Sequence, residues 1–583
     1  MKKNLLPLLG IVLLMSSCED NSRTNEAVPT STHQTTIYFG GDILTMEGEE
    51  AQFAEAVVQQ NGKIAFVGSL ENAQKQFPKA SKKDLQGKTL LPGFIDGHGH
   101  LYLTGFYNMM ANLMPPPDGG SSSIQGVVDE MNAWKESEKG EFFLNKFGWL
   151  VGFGYDDSQL AEKDHPTADD LDKVSTEVPV IIVHQSGHLG ALNHKALEVF
   201  NITKASEDPV GGHIRKDANG NPTGVLEETA FQPLQLQMLP KIDDQVDLKI
   251  IENGQKMYAQ YGYTTAQEGG GNTAFNNSLE KAANKGELYI DLVNYPVMDM
   301  GLEAMTSKYY TKDHSYSNHY RVGGVKLVLD GSPQGKTAWL TEPYLEPPSG
   351  KDHSYHGYPK YSKEDEEKFI NQAFQNQWQL LAHTNGDAAV DDFLFYINEA
   401  LSNHGYDDHR SVIIHGQVIR KDQIQKIADL NVLASEYAVH TFYWGDWHLN
   451  SVLGSPRAEY ISPTRDLIDA GINLTSHSDC PVIPPNSLRI IDATTNRVTR
   501  SGLILGPGQR TTPYEALLTQ TRWAAYQYFE EDHKGTLAVG KLADFVILDQ
   551  NPLKIDPMKI HTIKVVETIK EGKQVYENNE SNF

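Results

Sequence analysis

Ser362-Lys363-Glu364-Asp365-Glu366-Glu367-Lys368-Phe369-Ile370-Asn371-Gln372-Ala373-Phe374, with Leu380-Leu381-Ala382-His383 close behind, decides how this chain is read. Ser362 suits a helix cap, the first turn is acidic, and Phe369, Ile370, Ala373 and Phe374 recur at helical spacing, which predicts an amphipathic helix. A short apolar strand ending in histidine follows. The cycle returns downstream: Val412-Ile413-Ile414-His415, a helix around Ile424, Ile427 and Ala428, Val432-Leu433-Ala434-Ser435, a helix near Leu467 and Ile468, then Ile472-Asn473-Leu474-Thr475-Ser476. Short strands alternating with helices predict a parallel sheet. Polar residues at the strand ends suit a (β/α)8 TIM-like barrel, whose chemistry sits at the C-terminal face.

Working outward, residues 91–534 are assigned to this barrel. The stretch 102–242, with Pro115-Pro116-Pro117-Asp118-Gly119-Gly120 and Asn219-Gly220-Asn221-Pro222-Thr223-Gly224, breaks the rhythm and reads as a large insertion after the first barrel strand, covering the mouth. Both chain ends look different again. Ile37-Tyr38-Phe39, Ala56-Val57-Val58 and Asn61-Gly62 resemble Asp544-Phe545-Val546-Ile547-Leu548 and Glu571-Gly572-Lys573 in being strands with turns. Residues 35–90 and 535–583 are therefore expected to form one small β-sandwich domain.

At the start, Lys2 and Lys3 precede an apolar run from Leu5 to Met15, then Ser16-Ser17-Cys18. That order describes a signal peptide over 1–18, too short to span a bilayer. Its Cys18 resembles the lipidated cysteine of bacterial lipoproteins, and the polar residues 19–34 read as a flexible tether. An exported lipoprotein, anchored by lipid to the outer membrane on its periplasmic or outer face, is the expectation. Cys480 is the other of the 2 cysteines, which leaves no intrachain disulfide once Cys18 is lipidated. A formal charge of −26 excludes a nucleic-acid partner, since such binding runs on Lys and Arg displacing counterions.

The strongest local motif is Leu91-Pro92-Gly93-Phe94-Ile95-Asp96-Gly97-His98-Gly99-His100. Residues two apart on a strand point the same way, so His98 and His100 can present two imidazoles to one metal ion, and Gly97 and Gly99 leave room beside them. A His-x-His pair alone is often incidental. Lys326, His383, His415 and Asp479 stand at comparable places, in or at the end of predicted strands, and each also has a plainer explanation: a satisfied core histidine, a turn-capping carboxylate, a salt-bridged barrel lysine. Their succession is the argument, because imidazole and carboxylate ligands with an open position suit Zn²⁺ and activation of water.

These residues resemble the amidohydrolase superfamily, and within it the YtcJ-like branch, amidohydrolase family 3, which includes N-substituted formamide deformylase. The resemblance runs from about Thr35 to Tyr576. It is carried by His98-Gly99-His100, Asn221 through Glu228, Lys326 through Ser332, His383-Thr384-Asn385-Gly386-Asp387, Ser478-Asp479-Cys480-Pro481-Val482 and Gly535 through Asp544. It implies that His98, His100 and Asp479 bind one metal ion, and that His383 and His415 bind a second or orient the substrate. Lys326, carboxylated by CO2, is the implied bridge, with Glu228 as its rival. One or two divalent ions, zinc first, are the implied cofactor.

The implied reaction is hydrolysis of a C–N bond other than a peptide bond in a small molecule, with Asp479 moving the proton and His383 or His415 helping at the oxyanion. Glu228, Asp330, His188, His440 and Trp444 are candidates for contacting substrate or supporting the ligands. For Phe442, Tyr443, Trp444 and Trp447 a loop packed on its own core is an equal reading, and for His184 and His188 so is a structural hydrogen bond. The chain departs from the branch at Ile414, where Glu is usual, and at Ala438, where Pro is. An ester or lactone hydrolase on the same site and a non-catalytic binding lipoprotein are the alternatives. A homo-oligomer stays open.

Overall fold

A computed structural model describes residues 35–578 apart from 188, 210–211, 232, 235–241 and 349–350. The signal peptide, Cys18, the tether, His188 and the Glu228 side chain lie outside the described residues.

The strand–helix cycle is present throughout the second half. Parallel strands follow in chain order: β1 (Phe94–Ile95), β2 (Tyr263–Gly271), β3 (Asp291–Pro296), β4 (Tyr320–Val322, resuming as Val325–Val328), β5 (Leu380–Thr384), β6 (Val412–His415), β7 (Leu433–Glu436) and β8 (Leu474–Ser476). Each pairs with the next in parallel register, and the break in β4 at Gly323–Gly324 is spanned by the parallel bridge Val297↔Lys326. Ser362 caps the helix Lys363–Gln375 by accepting from the Asp365 amide, as its hydroxyl predicts. Ile95, Val293, Leu381, Val412, Ile414 and Leu433, from five strands, meet Tyr528 in one buried cluster. The strands thus turn one face toward a shared interior, in a mixed α/β fold of the TIM-barrel type.

The insertion builds its own six-stranded mixed sheet, from Ala111–Asn112 to Pro222–Glu228, and hands the chain back through the helix Asp244–Gln260. It touches the strand-end loops: Gln185 Nε2 donates to the Val482 carbonyl at 3.1 Å, and the Tyr443 hydroxyl donates to Asp118 at 2.5 Å.

Strands from both chain ends combine along one hydrogen-bonded path. The order runs Lys573–Glu577, Val565–Lys570, Phe545–Leu548, Thr89–Pro92, Thr35–Leu44, Phe53–Gln60, Lys63–Gly68, with Ser81–Asp84 also on Thr35–Leu44. Thr89–Pro92 is the junction. It pairs antiparallel with Phe545–Leu548, and after Gly93 alone the chain enters β1. Among the described residues no helix is long and apolar enough to cross a membrane.

Candidate metal centre

β1 ends at Ile95, and the loop beyond it carries both histidines of the motif. The His100 amide donates to the Cys480 carbonyl at 2.8 Å, and the Gly269 amide of β2 to the Gly99 carbonyl at 2.8 Å. Those bonds stitch the loop between β2 and the segment after β8, which brings the imidazoles to Asp479. Asp479 Oδ1 lies 3.3 Å from His100 Nε2 and 3.5 Å from His98 Nε2, and Oδ2 lies 4.0 Å from His415 Nε2. Lys326 Nζ is 3.1 Å from His98 Nε2. The His98 and His415 rings are 5.4 Å apart, and those of His383 and His415 4.5 Å. All six residues singled out as metal donors therefore stand in one place, drawn from the loop after β1, from β4, β5 and β6, and from the segment after β8.

Each imidazole is also held from behind. His98 Nδ1 faces Gln267 Oε1 at 2.5 Å, His100 Nδ1 faces Glu268 Oε1 at 3.5 Å, His383 Nδ1 faces Asp330 Oδ1 at 3.2 Å, and His415 Nδ1 faces His477 Nε2 at 3.0 Å. Such partners fix ring orientation and tautomer at metal sites. Asp330 also accepts from the amides of Asn385 and Gly386, 3.0 and 2.7 Å away, so it shapes the loop after β5. Gln267, Glu268 and His477 escaped the sequence reading. A buried Gln-Glu pair at the end of an apolar strand, next to Gly269-Gly270-Gly271, was the available signal for the first two.

The electrostatics fit a cation. Burial, reinforced by neighbouring Lys326 and histidines, holds His98 well below the usual imidazole range, and burial with His383 and His477 does the same for His415. Both are neutral, the form that ligates. Burial pushes against the charge of His100, but Asp479 and Glu268 outweigh it and raise it to about 9. Burial would raise Asp479, yet His100, His477 and Lys326 keep it below the usual carboxylate range. Its Oδ1 is buried without a well-aligned hydrogen bond, as are His100 Nδ1 and Glu268 Oε1. An ionised, under-satisfied carboxylate oxygen between imidazole nitrogens costs free energy unless a cation completes it, so these residues fit a divalent metal. Burial lowers the Lys326 ammonium to about 7, which leaves much of it as the neutral amine at neutral pH.

His440 and Trp444 stand apart from the donors. His440 Nδ1 pairs with His448 Nε2 at 2.7 Å, and Trp444 is buried in a cluster with Tyr437, Val439, Tyr443, Ile483 and Ala493. The loop-on-core reading is the one the coordinates give for Trp444, whose ring reaches toward the site only by way of Tyr437 and His440. Cys480 is a packed thiol, accepting from Thr104 Oγ1 at 3.1 Å. Among the described residues two other groups have ligand-like spacing, Asp156-Asp157-His184 and Asp291-His319-Glu571. The first lies within the insertion, and in the second Lys534 and Lys570 already pair with Asp291.

Strands of this order with this donor set define an amidohydrolase-type centre. The chain belongs to the amidohydrolase family, whose pattern matches residues 83–576. It is 28% identical to a putative amidohydrolase, YtcJ, of Bacillus subtilis over 565 residues, covering 93% of this chain and 99% of that protein. It is 24% identical to an N-substituted formamide deformylase of Arthrobacter pascens, covering 90% and 95% respectively. Its fold superposes with a TM-score of 0.70 on an uncharacterized metal-dependent hydrolase from Pyrococcus horikoshii, at 23% identity over 93% of this chain and all of that one.

Proposed function

We propose that this protein is a metal-dependent hydrolase that cleaves a C–N bond other than a peptide bond, in an amide, formamide or cyclic amide of small size. The observation that carries the proposal is the meeting of His98, His100 and Asp479 donor atoms within 4.8 Å of one another, with Lys326, His383 and His415 packed around them. His98, His100 and Asp479 would hold one divalent ion, zinc first. His383, His415 and a carboxylated Lys326 would serve a second. The Lys326 amine adds to CO2 and loses a proton, giving a carbamate anion; Glu228 is the rival for that place. A divalent cation held here supplies Lewis acidity and a water of lowered pKa.

In the reaction, Asp479 accepts a proton from the attacking water and returns it to the leaving nitrogen as the C–N bond breaks. His383 or His415 steadies the oxygen on which charge develops. The strands β1 to β8 are read as a closed barrel, with 102–242 over its mouth and the composite sheet as a separate small domain. The contacts of Gln185 and Asp118 with the strand-end loops support that reading of the insertion. From sequence alone, we infer export and lipid attachment at Cys18; radiolabelled palmitate should mark the wild type and fail to mark Cys18→Ala.

The test of function is a substrate panel on protein truncated after Cys18. N-substituted formamides come first, because one relative bears that name, then N-acyl amino acids, cyclic amides, esters and lactones. Turnover of an amide that a chelator abolishes and a divalent ion restores is the expected result. Ester turnover without any amide turnover would replace the proposal with the esterase reading, and binding without turnover would replace it with the non-catalytic one.

A further inference from the structure

His415 differs from the other donors in what stands behind it. His98 and His383 are backed by an amide and a carboxylate oxygen, which can only accept, so those rings carry a proton on Nδ1, and His100 Nδ1 faces the Glu268 carboxylate without a well-aligned bond. His415 is backed by another imidazole, which either donates or accepts. His477 Nε2 lies 3.0 Å from His415 Nδ1, and His477 Nδ1 lies 2.9 Å from Ser435 Oγ. The three side chains are buried, so water does not enter the choice. Two proton arrangements satisfy the chain. In one, His415 Nδ1–H donates to His477 Nε2, whose own Nδ1–H donates to Ser435 Oγ, and the lone pair of His415 Nε2 faces Asp479. In the other every bond is reversed, and His415 Nε2 bears a proton that bars ligation.

We propose that His477, held by Ser435 and stacked on Tyr437, is a positioning residue that sets His415 in the tautomer with its lone pair on Nε2. The proposal rests on the reading of His415 as a metal donor. Both ring nitrogens of His477 are committed, so it stands outside the ligand set. Its plane is fixed by Tyr437, with ring centroids 5.1 Å apart and planes at 26°. The chain supplies an internal parallel: Gln267 faces His98 Nδ1 through Oε1 and donates through Nε2 to Tyr528 Oη at 2.6 Å, so one side chain accepts from the ligand and passes a hydrogen bond outward. His477 does the same with two ring nitrogens. His415 also needs holding, because its φ of +79° is strained for a residue with a side chain.

The parallel chooses the test. His477→Gln can accept from His415 and donate to Ser435, whereas His477→Phe keeps a ring on Tyr437 and loses both bonds. Metal-free protein titrated with cobalt(II) should show wild-type affinity and visible spectrum in the Gln variant, and affinity about 10–100-fold weaker with an altered spectrum in the Phe variant. Ser435→Ala, which removes only a hydroxyl, should fall between them and carries the comparison if the Phe variant melts early. Cobalt affinity in the Phe and Ala variants equal to wild type would overturn the proposal. The tautomer is read separately, from ¹⁵N shifts of labelled histidine in the metal-free protein. His415 protonated on Nε2 in the wild type would overturn the proposal. Protonation on Nδ1 in a wild type that binds no cobalt would support the positioning and refute the metal-donor reading.

Discussion

Asp479 and His415 both hold positive φ, 51° and 79°, at the points where their strands give way to the site. Conformations of that kind cost on the order of 1–3 kcal/mol each and persist where surrounding structure enforces them, often at working residues. Asp and Asn tolerate the left-handed region better than most side chains, so Asp479→Asn should keep the backbone while losing the proton acceptor and weakening the metal site. The expected result is a fall in kcat of about 100-fold or more; near-wild-type turnover would remove Asp479 from proton transfer. The meeting of the six candidate donors was legible because each is a polar residue in or just after a short apolar strand, a pattern local to the sequence. Gln267, Glu268 and His477 were not, since their part depends on which ring nitrogen of a distant histidine they face.

At the scale of elements, β2 shows how closely strand and loop must approach. A methyl group at Gly269 would sit 2.4 Å from His98 Cε1, and one at Gly99 2.2 Å from the Tyr258 hydroxyl. Both distances are far inside van der Waals contact, so a side chain at either position must displace its neighbour. Gly269→Ala is predicted to push His98 off its place and reduce metal retention well below that of Gly508→Ala, where nothing lies within 4 Å. Equal metal content in the two purified variants would contradict this packing account. The helix and strand cycle from Ser362 to Ser476 was legible from spacing and a cap. Strand β2 was not, because the run of glycines that makes room for two imidazoles is the composition that ordinarily argues against a strand.

Across the whole molecule, the insertion and the composite sheet surround the barrel-type core with their own charge networks. Burial opposes a charge on His184, yet Asp156 and Asp157, by hydrogen bonding and by charge, raise it to about 9. Unfolded histidine titrates near 6.5, so this stabilisation is complete below that pH and is lost as pH climbs through about 9. The gap in melting temperature between wild type and His184→Gln should be widest near about pH 6 and close by about pH 9.5; a gap independent of pH would show that the imidazolium is not what holds the insertion there. The union of the two chain ends was legible from their shared strand-and-turn composition. Its single hydrogen-bonded path was not, because alternation within a strand says which face is buried and not which strand lies beside it.

The claim on which all of this depends is that His98, His100 and Asp479 share a cation, and elemental analysis of purified protein tests it most directly. Wild type grown with zinc is predicted to carry about one or two divalent ions per chain, and the folded His98→Ala/Asp479→Ala variant to lose at least one of them along with its activity. A wild type that retains no metal under those conditions, or a double variant that keeps its full complement, would contradict it.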